Sequence, residues 1–154
     1  MITVRPATSG DVPAMSELLI ASITELCTAD HQGDPEAIAG WVGNKTPDNV
    51  AGWVNDPALT VIVADRGGEI AAVGMLNSSD EIGLNYVSPR HRFAGVSKAM
   101  LSALETEMRH RGASTGRLTS TRTAHDFYLA MGWQDAGALQ ACMTVSGYPM
   151  TKAL

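Results

Sequence analysis

The residues best placed to do chemistry lie in one stretch, Glu81-Ile-Gly-Leu-Asn-Tyr-Val-Ser-Pro-Arg90-His-Arg-Phe-Ala-Gly95-Val-Ser-Lys-Ala-Met100-Leu. An apolar strand ends at Val87-Ser88-Pro89, a short loop carries Arg90, Arg92 and Gly95, and a helix then begins. The first turn of a helix leaves backbone N–H groups unpaired, and the helix dipole makes that end partly positive. Glycine at the entry lets an anion approach the backbone with no Cβ in the way. Two arginines beside such donors make a cradle for a phosphate or pyrophosphate. The spacing is neither that of GxxxxGK[ST] nor that of the three-glycine dinucleotide loop. Elsewhere the chemistry-bearing residues are scattered. Cys27 and Cys142 are far apart, outside any metal-ligand spacing, and read as free thiols. His31, His91, His110 and His125 form no HExxH-like pair, so no metal site is expected.

The elements that must position the loop can be read from hydrophobic period. Ile2-Thr3-Val4-Arg5 alternates as a strand does. Thr8-Ser9-Gly10-Asp11 resembles a capping box, and Val12, Met15, Leu19, Ile23 and Leu26 follow at helical spacing. Residues 34–56 read as one or two short helices broken near Thr46-Pro47. Leu59 to Ala64 is a β-rich run, Asp65-Arg66-Gly67-Gly68 is turn chemistry, and Glu69 to Asn77 is the return strand. Glu81 to Val87 makes another strand. Val96, Met100, Leu104 and Met108 mark a long helix stopped by Gly112. Arg117-Leu118-Thr119-Ser120 is strand-like. Ala124, Phe127, Tyr128 and Met131 lie on one face of a further helix ending at Gly132. Two last strands, about 136–145 and 148–154, are expected around a turn at Ser146-Gly147. The order β-α-α-β-β-β-α-β-α-β-β predicts an α/β or α+β layered fold, with residues 1–154 forming one domain.

Charge narrows the partners. Residues 1–80 carry 3 Lys/Arg and 11 Asp/Glu, residues 81–154 carry 8 and 5, and the whole chain has a net charge of −5. An acidic protein with a sequence pI near 5.2 is not expected to bind nucleic acid. One basic half and one acidic half suit a protein that holds an anion with one and a cation with the other. The N-terminus lacks a basic start and apolar run, and no stretch approaches the ~20 apolar residues of a membrane helix. These features predict a cytoplasmic protein with no membrane partner.

Arg92-Phe93-Ala94-Gly95-Val96-Ser97, following Val87-Ser88-Pro89 and leading an apolar helix, resembles the (Q/R)xxGx(G/A) pyrophosphate loop of the GNAT superfamily of acyl-CoA-dependent N-acetyltransferases. Thr121-Arg-Thr-Ala124-His-Asp-Phe127-Tyr128-Leu-Ala-Met-Gly132-Trp133 is similar to that family's NxxAxxFYxxxGF pattern. It matches at Ala124, Phe127, Tyr128 and Gly132. It departs at Thr121, where many members have an asparagine that bonds the pantetheine or ribose region, and Ser97 stands where Gly or Ala is usual. The resemblance spans the chain and implies a mixed, mostly antiparallel twisted sheet of about seven strands with helices on both faces. It implies acetyl-CoA as cosubstrate, without a metal, and direct attack by a primary amine without an acyl-enzyme. Arg92, Phe93, Ala94, Gly95, Val96, Ser97, Thr121, Ala124 and Phe127 then become the cofactor-binding candidates, joined by the backbone of Asn85, Tyr86 and Val87.

Tyr128 matches the tyrosine that in many members sits by the thioester sulfur. A phenol has a reference pKa of ~10 and a thiol ~8.5, so a hydrogen bond to the developing thiolate is expected rather than full proton transfer. An alkyl ammonium, reference pKa ~10.4, must lose a proton before it attacks. Glu81, with Asp80 beside it, is the candidate base, near where many members keep a glutamate. The acceptor end falls to residues 20–56, which hold Asp30, His31, Asp34, Glu36, Trp41, Trp53 and Asp56. Acidic groups with tryptophan suit a small cationic amine or a peptide N-terminus. A non-catalytic acyl-CoA-binding module of the same fold is the alternative, and homodimers are common among family members.

Overall fold

The computed structural model describes residues 1–142 and 145–154. In chain order, strand β1 (Ile2–Pro6) leads to helix α1 (Val12–Leu26), the single turn α2 (Thr28–His31), and helices α3 (Pro35–Val42) and α4 (Pro47–Asn55). The hairpin β2 (Thr60–Arg66) and β3 (Glu69–Leu76) follows, then β4 (Glu81–Val87), α5 (Val96–His110), β5 (Thr115–Ser120) and α6 (Arg122–Ala130). Short strands β6 (Gln134–Asp135) and β7 (Gln140–Cys142) precede the long β8 (Val145–Ala153). Seven strands run in the order β1-β2-β3-β4-β5-β8-β6, with β7 pairing β8. Every described pairing is antiparallel except β4 with β5. This is the layered fold that the element pattern predicted and the mixed, mostly antiparallel sheet that the family resemblance implied.

Each face of the sheet is sealed by the helix whose apolar stripe the sequence marks. Met15, Leu19 and Ile23 of α1 have no exposed surface and pack one face, with Val50 of α4, Val63, Val73 and Leu84. Val96, Met100, Leu104 and Met108 of α5 seal the other, with Leu118, Tyr128, Trp133 and Met150. Fully burying each such side chain is worth about 1.5–3 kcal/mol. A charged knot ties α5 to β8. Buried Glu105 accepts from Lys152 Nζ at 2.8 Å and from Trp133 Nε1 at 3.2 Å, while Lys152 also donates to the Met131 carbonyl at 2.8 Å.

Two expectations need correction. The turn placed at Ser146-Gly147 lies inside β8, which runs unbroken from Val145 and pairs Tyr148 with Ser120. Gly147 serves close approach, since a Cβ there would stand 2.4 Å from Thr119 Cγ2. The strand expected over about 136–145 is instead β7 with a preceding loop, and its residues 143–144 lie outside the described residues. The turn α2, between Cys27 and His31, had no hydrophobic period to reveal it.

Candidate active site

The site is built where β4 leaves β5. The two strands pair only at Glu81 with Arg117 and Ile82 with Leu118, and beyond that point they splay. On its other edge β4 stays paired with β3 as far as Val87, and Ser88 N donates to Ala71 O at 2.8 Å. Antiparallel pairing alternates in steps of two, so Tyr86 and Leu84 face β3 with their backbone groups. Asn85 and Val87 then turn their N–H and C=O groups into the splay. The result is an open strand edge lining a cleft, a place where an extended ligand can add as a strand does.

A β-bulge sets which side chains enter the cleft. Met75 pairs with Leu84 but Leu76 pairs with Ile82, leaving Gly83 unmatched. A single extra residue reverses the in–out alternation. Ile82 therefore packs on the α5 face, Leu84 on the α1 face, and Val87 again on the α5 face. Asn85 is carried toward α6, where its Nδ2 donates to the Tyr128 hydroxyl at 2.9 Å.

The cleft holds about 460 Å³. Its floor is β4 from Ile82 to Val87, one wall is α5 and α6, and the other is the end of α1 at Ser22, Leu26 and Cys27. Gly95 begins α5 in the left-handed region (φ +79) and offers no side-chain cap to the first helical turn. The N–H groups of that turn are thus left for a ligand. Ser97 and Lys98 also line the cleft, and Arg92 lies exposed with its guanidinium 4.7 Å from the Phe93 ring centre. The loop is anchored from behind. Buried His91 shares Nε2 with Glu69 at 2.9 Å and Nδ1 with Arg66 at 3.3 Å, residues that bracket the β2–β3 turn.

Burial pushes the Tyr128 phenol up to about 12, against a lowering by the Asn85 hydrogen bond. It stays protonated and able to donate at neutral pH. Burial, reinforced by Asp30, likewise pushes the Cys27 thiol up to about 12, which keeps it protonated at neutral pH. Burial raises the Tyr86 phenol above its ordinary value, and this phenol also shares a hydrogen bond with Trp41. Asp30 stitches the two walls together. Its carboxylate accepts from Arg122 N at 2.6 Å, and from Thr123 N at 3.1 Å and Thr123 Oγ1 at 2.6 Å, at the start of α6.

Of the residues singled out from sequence, Tyr86, Val87, Arg92, Phe93, Gly95, Val96, Ser97, Thr121, Ala124, Phe127 and Tyr128 line this cleft. Ala94 packs against the α5 core instead. Thr121 spends its hydroxyl capping α6, accepting from Ala124 N at 3.1 Å. Arg90 faces a separate groove beside Arg5 and Asp11. Glu81 precedes Ile82, where the cleft floor starts, and is not itself among the lining residues; its Oε1 accepts from Asn77 Nδ2 at 3.2 Å. Asp80 stands 3.9 Å from Arg111. Sequence reasoning missed the Asn85 side chain, Lys98, Cys27 as wall and the Asp30 staple. Lys98, three residues past Gly95, was the one with a readable signal.

A splayed β4–β5 seam leading into a helix N-terminus without a side-chain cap is a shape that an extended, anion-tipped ligand would fit across an open strand edge. Residues 29–154 match the family described as acetyltransferase (GNAT) domain, and the chain belongs to that family. Similar solved structures share the fold. A GCN5-related N-acetyltransferase from Rhodopseudomonas palustris aligns at a TM-score of 0.89 and 21% identity, over 99% of this chain and 95% of that one. The PaiA N-acetyltransferase of Thermoplasma acidophilum, in complex with coenzyme A, aligns at 0.82 and 16% over 100% and 99%. The ribosomal-protein-S18-alanine N-acetyltransferase of Escherichia coli aligns at 0.73 and 19% over 99% and 94%. No curated protein sequence matches the chain.

Proposed function

We propose that this protein moves an acetyl group from acetyl-CoA to a primary amine by direct attack. The observation that carries the reading is the continuity of the cleft. An open β4 edge at Asn85 and Val87, an anion cradle at Arg92 to Lys98 and a protonated Tyr128 all border one space. The pantetheine arm adds along β4 as a strand, and the pyrophosphate rests on the first turn of α5 with Arg92 and Lys98. A β4 N–H polarises the thioester carbonyl, and donors of that type are worth ~3 kcal/mol.

The neutral amine nitrogen forms the new N–C bond and the carbonyl electrons move to oxygen. On collapse the C–S bond breaks and its electron pair goes to sulfur, which Tyr128 stabilises by donating a hydrogen bond. The proton lost by the amine passes to water, and the thiolate takes up a proton as CoA leaves. Cys27, held protonated, does not form an acyl-enzyme. Among the described residues no Asp or Glu lines the cleft, so Glu81 is not assigned the role of base. The acceptor enters past Cys27 and Tyr86, beside the Asp30 carboxylate.

Thermal unfolding with acetyl-CoA tests the reading. A ligand at 100 times its dissociation constant stabilises by ~2.7 kcal/mol. At the same ligand concentration the shift should shrink to about 0.4–1.4 kcal/mol in Arg92→Glu, and CoA release with amines that serve the wild type should fall about 10- to 100-fold with Tyr128→Phe. A folded protein that shows no shift at millimolar acetyl-CoA would sink the assignment.

A further inference from the structure

We propose that the Asn85 side chain is a positioning residue that aims the Tyr128 hydroxyl hydrogen into the cleft. The proposal rests on the acetyl-transfer reading above and goes beyond it, because it gives a task to a side chain rather than to the β4 backbone. Tyr128 is almost wholly buried, boxed by Phe127 at 5.4 Å and Trp133 at 6.1 Å between ring centres, so its ring cannot turn to find a partner. A phenol O–H lies near the ring plane, conjugated with the ring, and has two in-plane directions. The Asn85 Nδ2–H arrives at 2.9 Å and occupies the oxygen from one side. The hydrogen then takes the other direction, toward the cleft that Tyr128 and Asn85 both line. A donor on the phenol oxygen also polarises the O–H, which strengthens the bond it makes onward. The same contact lowers the phenol's pKa against the effect of burial.

The bulge at Gly83 is what makes the contact possible. Without it, Ile82 and Leu84 would share a face, and Asn85 would point toward α1 and away from Tyr128. With the amide reversed, the phenol hydrogen would be spent on Asn85 and none would face the sulfur. Asn85→Asp imposes that reversed state at nearly constant shape, because a carboxylate only accepts.

The test compares Asn85→Asp and Asn85→Leu with wild type, alone and combined with Tyr128→Phe. The expected result is a kcat lower by about 10- to 100-fold in Asn85→Asp. KM for acetyl-CoA and the acetyl-CoA thermal shift should stay near wild type. In the Tyr128→Phe background the Asn85 changes should cost nothing further, since the two residues act as one unit. A kcat near wild type in both Asn85 variants, or losses that add to that of Tyr128→Phe, would overturn the proposal. A second readout needs no turnover: the 13Cζ resonance of Tyr128, assigned by its loss in Tyr128→Phe, should move in both Asn85 variants. An unmoved resonance would also overturn it. Absence of acetyl-CoA binding in wild type with a resonance that still moves would sink the proposed function and leave the Asn85 contact standing.

Discussion

The two ends of the cleft are made differently. The cradle end is one continuous segment, Ser88 to Lys98, whose working parts are backbone donors and exposed cations. The acceptor end is lined by side chains far apart in sequence, Cys27 at the end of α1, Tyr86 on β4 and Thr123 at the start of α6, and Thr123 is bonded to Asp30 of α2. A site made of backbone donors and exposed cations depends on loop shape and charge, and its exposed side chains can change without loss of stability. A site made of converging side chains depends on packing and hydrogen bonds across the fold. The contrast predicts that substitutions at the first end act on affinity and those at the second act on stability and acceptor together.

Arg92→Glu should have the largest effect. Reversing an exposed charge at the cradle should weaken acetyl-CoA binding by about 10- to 100-fold, ~1.4–2.7 kcal/mol, with the midpoint of ligand-free unfolding unchanged. Calorimetric titration measures the first and a thermal scan the second; a lowered midpoint would break the contrast. Next in size is the pH dependence of acceptor use. With no carboxylate among the described residues that line the cleft, kcat/KM should rise about tenfold per pH unit up to the acceptor's own pKa, so an α-amine, reference ~7.7–8, should outpace an alkyl amine, ~10.4, at pH 7. A plateau set near pH 4–5 for every amine would instead reveal an enzymic carboxylate base.

Asp30→Ala should destabilise by about 1–2 kcal/mol, because it strips a helix start of its acceptor, and should raise KM for the amine more than for acetyl-CoA. Asp11 supplies the control. It is a carboxylate outside the cleft, held down to about 2 chiefly by its paired hydrogen bonds with Arg5. Its folded value lies below its unfolded value of 3.8, so its contribution is complete above that pH and is lost as pH falls toward 2. Asp11→Asn should flatten the acid limb of stability in that window and leave both KM values alone. The smallest effect is expected at Phe93, a bulky residue held at φ +59 with its side chain 94% exposed. Phe93→Gly should raise stability by about 1 kcal/mol by relieving that backbone strain. A fall in the unfolding midpoint would show that the ring is structurally needed.

The same contrast explains what was legible. Hydrophobic period gave α1, α5 and the strands of the first hairpin within a residue or two, because each presents a regular stripe to one face. The cradle was legible because its residues are neighbours in sequence. Asn85 was visible as a strand residue, but the direction of its side chain hangs on the bulge at Gly83, which no alternation pattern marks. The surroundings of Glu81 were not legible, because strand position predicts neither reach nor partner, and Asn77 donates to its carboxylate. Gly147 looked like a turn because glycine commonly makes one, whereas here it admits a neighbouring strand.

The short seam between β4 and β5 has a consequence for how the chain assembles. With two ladder partners across it, the sheet is two blades, β1 to β4 and β5 to β8. The first blade draws on contiguous sequence and can form as soon as β4 has been synthesised. The second cannot: β5 finds its antiparallel partner only in β8, across Thr115 to Ala153. During synthesis the β4 edge therefore stands without a completed second blade beside it until the residues from Ser88 to Ala153 have been added. The edge that in the finished fold stands open to a ligand is, for that interval, also unshielded by the second blade and open to pairing with a neighbour, and pulse-labelled hydrogen exchange during refolding would time the docking of that blade.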